Sequence, residues 1–137
     1  MIYALDTNIV SYCLNGDKTI KNKIFTLLSA NSNSVIIPPF TFFESLRGLL
    51  AINASRKLND FVIMCEQLDQ GQMEQNDWIR AAELYAEGRQ TGRTMEDGDL
   101  LQAAWCMRRA HILVTHNTKH FSHLRNLSVE DWTLPLA

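Results

Sequence analysis

The sequence predicts an α/β fold: a three-layer α/β/α sandwich around a short, mainly parallel central sheet. Three apolar runs, IYAL, VII and ILV, are too brief for helices and carry no charge, as strands buried on both faces do. Longer stretches with helical spacing separate them, so strand and helix alternate along the chain. The first run also ends abruptly on a carboxylate, Asp6. In parallel sheets of this kind, reactive groups gather beyond the carboxyl ends of the strands.

Ile2–Leu5 is the first strand, stopped by Asp6, Thr7 and Asn8. Helical spacing then runs from about Ile9 to Leu28 in two pieces, broken at Asn15-Gly16-Asp17. NSNS reads as a loop, and VIIPP as a second buried strand stopped by Pro38 and Pro39. Proline is tolerated in a first helical turn, so a helix should begin there and run through FTFFESLRGLL towards Asn53. A further helix covers about Ser55 to Glu66, and LDQGQM holds a polar third strand. NDWIRAAELYAEGRQTG is an amphipathic helix, with Asn76 as its cap and Gly88 or Gly92 near its end. GDLLQAAWCMRRA is another helix, HILVTHN a strand, and LSVEDW an edge strand. Without repeats, low-complexity tracts or a linker, one domain over residues 1–137 is expected.

Apolar residues make up 46% of the chain, a globular composition. There is no uncharged apolar stretch of about 18 residues, and the N-terminus has no basic leader. A cytoplasmic protein with no membrane contact is therefore expected. Cys13, Cys65 and Cys106 are scattered and form no CxxC pair, which reads as reduced, buried thiols. A net charge of −2 is too near neutral to grip nucleic acid by overall electrostatics. Contact with RNA would have to rest on a local patch or on metal ions.

Polar groups fall at further places where the strand ends should form a cleft. Glu44 interrupts an apolar surface made by Phe42, Phe43 and Leu46. Asp97 and Asp99 start the GDLLQAAW helix, and Thr115 and Asn117 follow the ILV strand. Each alone has a plain structural reading. An Asp at a helix start caps it, a helical Glu faces water, and an Asn after a strand makes a turn. Asp6 is harder to explain that way, because a charge ending a buried strand needs water, a partner or a metal. No Lys or Arg adjoins Asp6, Glu44 or Asp99 in sequence. Three carboxylates meeting at about 4–5 Å would repel by several kcal/mol. A hard divalent ion such as Mg²⁺ or Mn²⁺ offsets such a cluster, retaining several waters.

Taken together, ALDTNIV, FESLRG, DLLQAA and LVTHNTKHF…LRNLSVEDW resemble the PIN domain in order and spacing. They are most similar to the ribonuclease toxins of VapBC-type toxin–antitoxin pairs. The resemblance implies that Asp6, Glu44 and Asp99 hold metal, with Thr7 and Asn8 supporting the first acid. Asn117 falls at or beside the position of a fourth acid, and residues Thr115 to Phe121 contain no carboxylate. Asp97 either compensates or caps its helix. The resemblance further implies metal-assisted hydrolysis of RNA, with transfer RNA a frequent target, and Thr115 and Asn117 placing water or phosphate. Lys119, Arg93 and Arg89 are candidate RNA contacts. A cognate antitoxin, and a homodimer or toxin–antitoxin hetero-oligomer, are the implied partners. The apolar surplus of PFTFFESLRGLLAI is either a well-buried helix or a docking face for one of them.

Three other readings remain. His116, His120 and His123 have spacings that suggest zinc, although His116 precedes any helix. A receiver-like signalling domain also binds Mg²⁺ at strand ends, but it would need an acidic pair after the first strand. A PIN-like protein that binds partners without cleaving RNA keeps the fold and drops the chemistry.

Overall fold

Strand β1 (Ile2–Leu5) is short and uncharged, so it can be covered on both faces, and it lies at the centre of the sheet. The computed structural model describes residues 1–30 and 34–134. Its other strands are β2 (Ser34–Ile37), β3 (Asp69–Gln70), β4 (Ile112–Val114) and β5 (Val129–Glu130). They run in the order β3-β2-β1-β4-β5, and every pairing is parallel. The register sets Tyr3 beside Val35 on one side and Ile112 on the other. Leu5 and Val114 are partners at the common carboxyl end, so Asp6 and Thr115 leave the sheet together.

Successive strand residues face opposite sides, and this alternation divides the core in two. Tyr3, Leu5, Val35, Ile37 and Val114 pack with Ile9, Ile20, Ile24 and Phe61. Ala4 and Leu113 pack on the other face with Leu84, Ala103, Ala104, Trp105 and Phe121. Helices α1 (Thr7–Leu14), α2 (Lys18–Leu28) and α4 (Ser55–Gln67) cover the first face, and α5 (Gln75–Thr91) and α6 (Asp97–Arg109) the second. The expected three-layer α/β/α arrangement is observed. Helix α3 (Pro39–Ala51) buries Thr41 and Ser45, but Phe43 and Leu50 on it, and Ile52 just after it, are more than half exposed. Its apolar surplus is thus an open face and not a fully buried one.

Most boundaries follow the expected residues, and the differences have local causes. Residues 31–33 of the expected NSNS loop lie outside the described residues, and Ser34 already belongs to β2. Helix α5 is capped by Glu74 and not by Asn76. Asp77 reaches back to the Glu74 N–H at 2.8 Å, and that reciprocal box sets the start. Gly92 ends the helix in the left-handed region at φ 74°, where glycine carries no Cβ penalty. Helix α6 has Glu96 at its cap position, so Asp97 and Asp99 sit inside the first turn and not at the cap. The three cysteines are free, and burial pushes the thiols of Cys13, Cys65 and Cys106 up, as for inert structural thiols. Among the described residues no helix is long and apolar enough to cross a membrane.

Gly71, just after β3, is a point of close approach. A Cβ there would collide with the Trp105 ring, at 2.8 Å from Cη2, and meet Pro39 Cδ at 3.0 Å. The Trp105 indole cannot retreat easily, because its Nε1–H donates to the Gln72 carbonyl at 3.0 Å. Gly71→Ala is expected to cost about 1–3 kcal/mol through overpacking, measured by urea unfolding.

Candidate active site

Asp6 leaves β1 with its backbone N–H bonded to the Val114 carbonyl at 2.9 Å, which fixes it at the sheet's carboxyl edge. Its side chain is buried and caps α1 by accepting from the Thr7 N–H at 2.9 Å. The cap role and the cleft position therefore coexist. Oδ1 also accepts from Gln102 Nε2 at 3.0 Å. Oδ2 accepts from the Thr115 hydroxyl at 2.8 Å and from Asn8 Nδ2 at 3.4 Å. Asn8 ties the two strand exits together, since its Nδ2 also reaches Thr115 Oγ1 and its Oδ1 accepts from the His116 N–H. Four donors thus hold a carboxylate that, among the described residues, has no cationic partner in contact.

Asp6, Glu44, Asp97 and Asp99 line one cleft of about 350 Å³, together with Phe40, Arg47 and Gln102. Helix α3 brings Glu44, whose Oε1 accepts from the Thr7 hydroxyl. Its other oxygen pairs with Arg47 at 3.6 Å, a cation one helical turn away that adjacency in sequence does not reveal. Helix α6 brings Asp99. Burial pushes the Asp99 carboxyl above its ordinary value; a protonated His120 works against this and the Asp6 charge adds to it. His120 Nδ1 lies 3.0 Å from Asp99 Oδ2.

A second cleft, of about 330 Å³, adjoins the first through Glu96 and Asp99 and is lined by Arg93, Lys119, His120 and His123. Two of the expected RNA contacts, Arg93 and Lys119, are there. Arg89 stands in the last turn of α5 and lines neither cleft. Asn117 is exposed, and its backbone N–H donates to Thr115 Oγ1 at 3.1 Å. The histidines do not form one group: His116 Nδ1 meets Asp131 and Thr133, while His120 meets Asp99. Among the described residues no three His, Cys, Asp or Glu side chains form a ready metal cage. The donor set nevertheless suits a hard cation of the Mg²⁺ type, which needs only one or two carboxylates and keeps its waters. Asp6 and Asp99 line the same open cleft, which leaves room for those waters.

Two contributors escaped sequence reasoning. Gln102 is 1% exposed, and its Nε2 reaches both Asp6 Oδ1 and, at 2.5 Å, Thr41 Oγ1. Thr41, fully buried, in turn donates a hydrogen bond from its hydroxyl to the Leu5 carbonyl at 2.8 Å. A signal existed: Gln102 follows Asp99 by one turn, and Thr41 precedes Glu44 by one turn, each on the face that carries the acid.

The geometry can now be set beside known proteins. Residues 3–127 match the model of the PIN domain. Ribonuclease VapC2 of Rickettsia felis is 30% identical, covering 96% of this chain and 98% of that protein. Ribonuclease VapC1 of Haemophilus influenzae is 27% identical over 97% of this chain and 99% of its own length. In the crystal structure of VapBC2 from Rickettsia felis bound to a DNA fragment from their promoter, one chain superposes with a TM-score of 0.87. It is 28% identical and covers 96% of this chain and 99% of its own. The receiver-like alternative falls with these matches. A parallel sheet whose central strand delivers a carboxylate to a cleft, matched along nearly its whole length, has one assignment: the chain belongs to the PIN-domain family.

Proposed function

We propose that the protein is a Mg²⁺- or Mn²⁺-dependent endoribonuclease, the toxin of a toxin–antitoxin pair, acting in the cytoplasm on RNA, with transfer RNA a candidate target. The observation that carries this reading is the pairing of Asp6 and Asp99 in one cleft, with four donors orienting Asp6. The relatives' names, Ribonuclease VapC1 and VapC2, support it.

In this reading Asp6 and Asp99 hold the cation, and Glu44 is an outer ligand or orients water. When bound, the ion supplies Lewis-acid polarisation of the scissile phosphate and an attacking water usable near neutral pH. Thr7 keeps Glu44 beside the first acid, and Asn8 and Thr115 keep Asp6 from turning. Asn117, uncharged and at the β4 exit, is proposed to place water or phosphate, and Asp97 adds its charge to the cleft. Arg93 and Lys119, which line the adjoining cleft, are the proposed contacts to the RNA backbone, with Arg89 in the last turn of α5 a further one. These basic side chains beside the acidic cleft are the local contact that a net charge of −2 would require. The open α3 face with Phe43, Leu50 and Ile52 is the proposed docking face for the antitoxin or for a second copy.

The test is cleavage of RNA by the purified protein with EDTA, then with Mg²⁺ or Mn²⁺ restored. Activity is expected only with the ion, and cleavage undiminished by EDTA sinks the reading. Asp99→Asn should lower cleavage by about 10²-fold or more. The same change should leave the metal-free melting temperature level or slightly higher, since it removes a carboxylate whose charged form is disfavoured.

A further inference from the structure

We infer that Gln102 is a positioning residue that ties Asp6 to the helix carrying Asp99; the inference rests on the nuclease reading above. Asp6 ends a strand and Asp99 starts a helix, so backbone structure alone does not fix the distance between their side chains. Gln102 lies on α6 one turn beyond Asp99, and its Nε2–H donates across to Asp6 Oδ1 at 3.0 Å. The same amide is anchored by Thr41 Oγ1, whose hydroxyl donates to the carbonyl of Leu5, the residue before Asp6. The Asp6 carboxylate is thereby gripped at Oδ1 from α6 and at Oδ2 from Thr115 after β4.

Apolar packing alone does not account for this amide. Gln102 Oε1 is buried and has no hydrogen-bond partner, and an orphaned buried acceptor is a liability in a core. Gln102 also sits among apolar residues of α6, Leu100, Ala103, Ala104 and Trp105, where an apolar side chain would pack without that defect. What Gln102 supplies and an apolar residue cannot is the grip on Asp6. Outer partners that orient metal-holding carboxylates act in this way, and losing one weakens metal affinity or activity by about 10–100-fold.

Gln102→Met keeps the length of the side chain and deletes both polar atoms. Mn²⁺ binding, followed by calorimetry without RNA, should weaken by about tenfold, and kcat should fall by about 10–100-fold with KM for RNA unchanged. The metal-free melting temperature should fall only modestly, because Asp6 keeps its bonds from the Thr7 N–H, Asn8 and Thr115. Gln102→Leu repeats the measurement with a different shape should the first variant fold poorly. Unchanged Mn²⁺ affinity and kcat in a folded variant overturn the assignment while leaving the nuclease reading intact. Failure of both variants to fold also overturns it, since the residue is then structural. Wild-type protein that neither binds Mn²⁺ nor cleaves RNA instead removes the nuclease reading, and the positioning role with it.

Discussion

Asp6→Asn is expected to lower RNA cleavage by about 10³-fold, which corresponds to about 4 kcal/mol in the barrier. The loss should not come from unfolding. Asparagine is as good a helix cap as aspartate, so the amide oxygen can still accept from the Thr7 N–H and Gln102 Nε2. On the other side its NH₂ would face the Thr115 hydroxyl, which can turn to accept, and Asn8 Nδ2, which cannot. One contact, already long at 3.4 Å, is lost. The expected stability change is below about 1 kcal/mol. What disappears is the negative charge, and with it the attraction for a divalent cation. Thermal melting within a few degrees of wild type, alongside abolished cleavage, would separate chemistry from folding. Near-normal cleavage would mean that Asp99 and Glu44 suffice and that Asp6 only caps α1.

The parts of this arrangement that could be read from sequence are those where a residue contradicts its surroundings. Asp6 at the end of an apolar strand, and Glu44 among phenylalanines, stand out because burying a charge is costly wherever the chain goes. Both line the cleft with Asp99. Gln102 does not stand out, because glutamine is an ordinary helix former and its role depends on contacts across 96 positions of sequence. The helix cap at Glu74 was hidden for a similar reason. Asn76 is the better cap by intrinsic preference, but the reciprocal bond from Asp77 selects its neighbour. Strand β3 was legible only as a polar candidate, since two exposed edge residues carry no hydrophobic signal.

Asp77 itself should be a highly sensitive position for stability. Its carboxylate is fully buried and receives Arg108 at 2.6 Å, Arg109 at 2.7 and 3.0 Å, and the Glu74 N–H at 2.8 Å. Arg109 in turn lies over the Trp105 ring at 4.4 Å and bonds Glu74 at 2.7 Å. Asp77→Ala would leave the partly buried Arg108 and Arg109 guanidinium groups to share the exposed Glu74 carboxylate, and would break the α5 capping box. Removing one partner of a buried ion pair costs about 3–5 kcal/mol, a large share of the roughly 5–15 kcal/mol that holds a domain together. A drop in melting temperature on the order of 10–20 °C is expected. Because α6 carries Asp99 and Gln102, loosening its seam with α5 should also disorder the cleft well below that temperature. The pH dependence gives an independent check. Burial alone would raise the Asp77 carboxyl, but the hydrogen bonds from Arg109, the Glu74 backbone and Arg108 override it and hold it at about 2. A carboxyl depressed in the folded state stabilises fully above its unfolded value of about 4, and that contribution, about 2 kcal/mol, is lost as pH falls towards 2. Urea midpoints measured between pH 4 and pH 2 should therefore fall steeply for wild type and much less for Asp77→Asn, which has no proton to take up there. Equal slopes would assign the acid sensitivity to other carboxylates and leave Asp77 with a packing role only.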